Sequence, residues 1–141
     1  MKNKKSYIVL AVYIILLVIF AFNNKFINDV NISIVGLIFK KNKNFDVLIN
    51  VLWYTELVIM YCGLGIIFTL VCIDSFPNFK YILIYSILLS ILGIIIVLLI
   101  KSFYLSINFI DVIVMLSSAF LGILIEMLIK IKQVRGEKNE E

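Results

Sequence analysis

Long apolar runs separated by short polar clusters dominate the chain. Four of them reach or approach the roughly 20 residues that carry an α-helix across a bilayer. They are Tyr7 to Phe22, a run within Val47 to Ile73, Tyr81 to about Ile100, and about Ile110 to Ile129. The runs are too long and too uniformly apolar for the alternating strands of a membrane barrel. A helix also satisfies its own backbone groups, which hydrocarbon cannot do for it. The expectation is an all-α fold: a polytopic membrane protein with four transmembrane helices in one bundle, at about 6–23, 50–73, 80–101 and 109–131. Residues 1–135 form the single membrane domain, and the charged stretch 136–141 is expected to be a disordered tail.

The connections refine this picture. Asp74-Ser75-Phe76-Pro77-Asn78 contains the only proline and reads as a turn between the second and third helices. Lys101 to Asn108 is a short polar-aromatic link. The first helix has the Lys-rich start of a signal peptide. However, Asn23-Asn24-Lys25-Phe26 offers no small-residue cleavage site, so the helix is expected to be retained. The longest connection, Asn23 to Asp46, has an apolar middle from Ile32 to Phe39 that is too short to span. That middle either lies in the interface or re-enters the membrane.

Composition agrees with the pattern. Of 141 residues, 63% are hydrophobic, and mean hydropathy is +1.12. A soluble domain of this size has too little interior to hide that much apolar surface. The net charge of +4 sits in clusters: Lys2, Lys4 and Lys5; Lys40, Lys41 and Lys43; and Lys130 to Lys138. Such clusters suit lipid headgroups. No basic stretch interleaves with stacking aromatics, so nucleic acid is not an expected partner. An N-terminus inside the cell places eight Lys and Arg on the cytoplasmic side and five outside, which favours cytoplasmic N- and C-termini. Abundant Ile, Lys and Asn with one Pro fit the codon usage of an AT-rich, bacterial genome.

Several chemistries are excluded by inventory. The chain has no histidine, which removes His-based metal sites, Ser-His-Asp triads and Cys-His pairs. Cys62 and Cys72 lie ten residues apart on one helix, about 15 Å of rise, which is too far to bridge. They read as small buried hydrophobes. No phosphate-binding Gly loop or metal-ligand motif is present. Neither catalytic residues, a metal nor a cofactor is expected.

What remains is a handful of ionisable residues in or near the bilayer, where each costs about 2.5–3.5 kcal/mol at a helix centre and less near the ends. Glu56 follows Trp53 and Tyr54, an aromatic belt. Asp111 opens the fourth helix, where the macrodipole favours a carboxylate. Glu126 has Lys130 four residues on, an ordinary helical pair. Glu56, Lys101 and Asp111 fall at one membrane level on the expected topology and form the candidate outer-leaflet polar cluster. Mutual pairing, headgroup contact and acid–base work all remain open for it. Small residues at spacings of three or four, Ser86, Ser90 and Gly93, then Ser118 and Gly122, are expected to pack helices closely. Gly63 and Gly65 either do the same for the second helix or bend it.

The order of elements resembles the VanZ-like family of small bacterial membrane proteins. The shared features are a Lys-led first helix, a long outer loop, Leu64-Gly65 near the middle of the second helix, and Ser86 and Ser90 in the third. The fullest likeness is Asn108-Phe109-Ile110-Asp111 through Gly122, where Asp111 and Gly122 stand at the family's Asp and Gly. Met115 stands where Asn is usual, Ser118 where Gly is usual, and Gly93 to Val97 where Glu and Gln are usual. The family's Arg in the link falls near Leu105. The resemblance implies a cell-envelope protein associated with glycopeptide (teicoplanin-type) resistance that contacts lipid-linked molecules at the outer leaflet. Two other classes remain: an accessory subunit of a larger membrane transporter or complex, and a self-associating, holin-like pore former. Membrane lipids are partners in all three.

Overall fold

The computed structural model describes residues 4–22, 24–38, 45–102 and 108–137, all in five helices and the short connections at 76–78 and 108. The helices are α1 (Lys4–Phe22), α2 (Asn24–Ile38), α3 (Phe45–Ser75), α4 (Phe79–Ser102) and α5 (Phe109–Glu137). Among the described residues the fold is all-α. Three helical stretches are long and apolar enough to cross a membrane: Phe45–Ser75, Phe79–Ser102 and Phe109–Gln133. The fold is therefore that of a multi-pass membrane protein.

The helix count differs from the expected four in two ways. The apolar part of α1, Ser6–Phe20, is shorter than the other three stretches. The Asn23 to Asp46 connection holds a further helix, α2, whose 15 residues rise only about 22 Å, short of a hydrocarbon core of roughly 30 Å. The boundaries shift as well. Helix α3 starts at Phe45 rather than near 50, and α5 runs on through Gly136 and Glu137, the first two residues of the expected tail. Residues 39–44 and 138–141 lie outside the described residues, as does the link at 103–107.

Contacts fix the directions of the helices. Leu57 to Phe68 of α3 share a buried cluster with Met115 and Ala119 of α5, while Cys72 shares one with Ile123 and Met127. Helices α3 and α5 therefore run parallel. The same clusters pair the first half of α3 with Ile94 and Val97, and its end with Ile82. Helix α4 is thus antiparallel to α3. Helix α1 is antiparallel too: Ser6 bonds Asp74, Tyr7 pairs with Ser75 at 2.9 Å, Tyr13 donates to the Met60 carbonyl, and Phe20 stacks on Trp53.

Local rules set the helix ends. Asn78 and Asn108 cap α4 and α5, their side-chain oxygens accepting from Lys80 N at 3.1 Å and Ile110 N at 3.2 Å. Such caps satisfy amides that have no partner in the first turn. Hydroxyls inside the bundle turn back on their own helices: Thr69 to the Gly65 carbonyl, Ser86 to Ile82 and Ser118 to Val114. In hydrocarbon this self-satisfaction avoids a penalty of several kcal/mol for each unpaired polar group.

The closest approach is between α3 and α5. A Cβ placed on Gly65 would collide with the Ala119 carbonyl, and one on Gly122 with the Cys62 carbonyl. Each helix thus presents a glycine to the backbone of the other, the small-residue packing expected in lipid. Gly63 instead faces the ring of Tyr13, and Gly93 faces Phe68 and Leu64. The outward faces stay apolar: Ile8, Val12, Ile15 and Ile19 on α1, Leu88, Leu92 and Leu99 on α4, and Phe120, Leu124 and Leu128 on α5. Water would not tolerate so continuous an apolar surface, whereas acyl chains match it. Both cysteines are free, Cys62 half-buried and Cys72 buried beside Ser86.

Candidate functional site

The start of α3, the end of α4 and the start of α5 meet at one end of the bundle. The antiparallel course of α4 delivers Lys101, in its last turn, to the level of Trp53. The parallel course of α5 delivers Asp111, in its first turn, to the same end. Both charges suit their helix termini, a cation at the negative end of α4 and a carboxylate at the positive end of α5.

Lys101 is buried, only 6% exposed. Its ammonium lies 5.1 Å from the centre of the Trp53 ring, a cation–π contact strengthened by the exclusion of water. The charge of Asp111 acts on Lys101 and on Tyr61. Tyr61 is wholly buried, and its hydroxyl has no hydrogen-bond partner. Trp53 of α3 and Lys101 of α4 therefore meet at this end, with the charge of Asp111 of α5 close enough to act on Lys101, while Tyr61 lies farther along α3 in the core.

Glu56 takes a different partner. Its carboxylate accepts from the Asn31 amide of α2 at 3.2 Å, and Asn31 is buried against α3 together with Val35, one helical turn on. The contact ties α2 to the bundle next to the Lys101 site. Glu126 is half-buried near the opposite end of α5, with Lys130 acting on it.

Reading the sequence missed three members of this region. In the sequence Trp53 reads only as a belt residue, because its approach to Lys101 is made by the fold. Tyr61 carries no local signal, because only the tertiary fold buries its hydroxyl without a partner. Asn31 sits in a segment whose helix was not foreseen, yet Asn31 and Val35 at i and i+4 mark a helical face.

The small residues divide by role. Gly122 and Ser118 lie on the α5 face against α3, and Ser86 and Gly93 lie on the α4 face against α3. Ser90 is buried with its hydroxyl unpartnered. It lies at the edge of an apolar cleft of about 120 Å³ between α4 and α5, lined also by Ile87, Ile94, Leu116, Ala119 and Phe120. Among the described residues, no three His, Cys, Asp or Glu side chains come together as metal ligands would.

No protein-family model matches the chain, and no match to it is found among curated proteins or solved structures. The site is therefore read from its own chemistry. A cation on an indole face within range of a carboxylate can donate hydrogen bonds to an acceptor, and the aromatic ring holds the cation in place.

Proposed function

We propose that this chain is a cell-membrane protein of a bacterial envelope with four spans, both termini cytoplasmic, that contacts the headgroups of lipid-linked molecules at the outer leaflet. The observation that carries this reading is the buried Lys101 ammonium, held on the face of Trp53 within range of the Asp111 charge. An ionisable group at membrane depth is costly and marks a functional site by default. Two further observations support the topology. Helix α1 runs beside α3 from Asp74 back to Trp53, and its 19 residues rise about 28 Å, close to the thickness of the hydrocarbon core. The distribution of lysines and arginines, eight against five, favours the Lys101 end outside. The VanZ-like likeness around Asp111 points to the same leaflet and to envelope function.

Asp111→Asn tests the reading. It keeps the size and the capping position but removes the charge that faces Lys101. The expected outcome is loss of glycopeptide tolerance or another envelope phenotype at unchanged protein abundance. A phenotype that merely follows protein level would show that the carboxylate is structural and would sink the headgroup reading.

A further inference from the structure

We infer that the α4–α5 cleft and the Lys101 site are one lipid-binding site, with the cleft holding an acyl chain and Lys101 the phosphate of an anionic phospholipid headgroup. The inference rests on the headgroup reading above and adds the seat of the tail and the sign of the head.

Three observations carry it. The cleft and the charged site lie on the same two helices. Ile94 and Leu116 line the cleft, and Lys101 and Asp111 stand one to two turns farther along α4 and α5. From Ser90 to Lys101 is a rise of about 16 Å, half of a roughly 30 Å hydrocarbon core. One lipid of one leaflet covers that distance, with its head at the interface and its tail ending near the midplane. The lining is aliphatic and aromatic apart from the Ser90 hydroxyl, and the volume is about 120 Å³. Apolar cavities of roughly 150 Å³ take up a ring-sized hydrocarbon, so a short length of acyl chain fits.

Charge complementarity decides the head. The carboxylate of Glu56 is engaged by Asn31, and that of Asp111 sits at the positive end of α5. Among the described residues, Lys101 has the Trp53 ring and this partly offset carboxylate as partners. Its flexible four-carbon stem lets the ammonium leave the indole for a phosphate oxygen. A zwitterionic headgroup carries the same phosphate but brings its own cation toward Lys101, so an anionic headgroup is favoured.

Native mass spectrometry of the full chain, released from detergent micelles after adding phosphatidylglycerol or phosphatidylcholine of equal chain length, reads both halves. The parent protein is expected to retain one lipid and to prefer phosphatidylglycerol about fivefold, the effect of one lysine at a membrane surface. Ser90→Leu and Leu116→Phe fill the cleft from its inner and lipid-facing sides, and both should lose the retained lipid. Leu116 is exposed, so its variant is expected to fold even if Ser90→Leu does not. Lys101→Gln should keep the lipid and lose the preference. Undiminished lipid in folded Leu116→Phe overturns the cleft as the tail's seat, and the headgroup reading survives if Lys101→Gln still loses the preference. An unchanged preference in Lys101→Gln overturns the inference and the headgroup reading together.

Discussion

Gly122→Leu is expected to destabilise the bundle by about 1–3 kcal/mol or more, the range for overfilled cores. The α3–α5 contact is backbone against backbone: Gly122 lies under the Cys62 carbonyl and Gly65 under the Ala119 carbonyl. A side chain at either position cannot rotate away, because the obstructing atom is a peptide carbonyl within a long helix. The two helices must then separate, and the clusters around Tyr61 and Cys72 open with them. Gly93→Ala is the control. Its new methyl would meet the Phe68 ring at 3.3 Å and the Leu64 side chain at 3.4 Å, and both neighbours can give way. Thermal denaturation in detergent, followed by circular dichroism, should separate the two variants clearly. A Gly122→Leu protein as heat-stable as the parent would show that α3 and α5 do not meet at these glycines.

The second large effect is expected at the charged end. Lys101→Glu reverses every favourable interaction of that side chain at once. The new carboxylate would face Asp111, lie against the electron-rich face of Trp53 and sit at the negative end of α4. A buried carboxylate in these surroundings has no compensating partner, a state that costs several kcal/mol. Adding Asp111→Lys to Lys101→Glu should recover part of the loss, since the pair regains opposite signs while the contact with Trp53 does not return. Trp53 is the only tryptophan of the chain, so its fluorescence reports on this site directly. Unchanged stability and emission in Lys101→Glu would mean that the ammonium does not occupy the indole face.

The legible part of the fold was the part written in local periodicity. Spans from 47 to 73, 81 to 100 and 110 to 129 are long apolar runs, and helices answer to them within a few residues. Helix α3 begins earlier than expected because Phe45 and Asp46 give it a helix-compatible first turn, with a carboxylate at the positive end. Helix α2 escaped because Asn24 to Ile38 mixes Asn, Asp and Ser with Ile and Val. Such a mixture is weak for a span yet adequate for a helix with one buried edge at Asn31 and Val35.

The candidate site was legible only as a set of charges at one depth. The structure brings Lys101 and Asp111 to one end of the bundle and sets Glu56 against Asn31. Depth alone cannot assign partners, because helix rotation decides which neighbour a side chain faces. Gly65 and Gly122 illustrate the same limit. Spacing marks each as a packing residue, but their opposition across α3 and α5 is a property of the assembled bundle.

The most direct test of the account is the sidedness of three points in living cells: the N-terminus, the loop at Lys41 and the C-terminus. Paired reporter fusions, one active only in the cytoplasm and one only outside it, read each point independently. A chain crossing through α1, α3, α4 and α5 places both termini in the cytoplasm and Lys41 outside, which is the predicted result. An N-terminus on the same side as Lys41 would show that α1 does not cross the membrane. A C-terminus on the side of Lys41 would contradict the three long spans themselves.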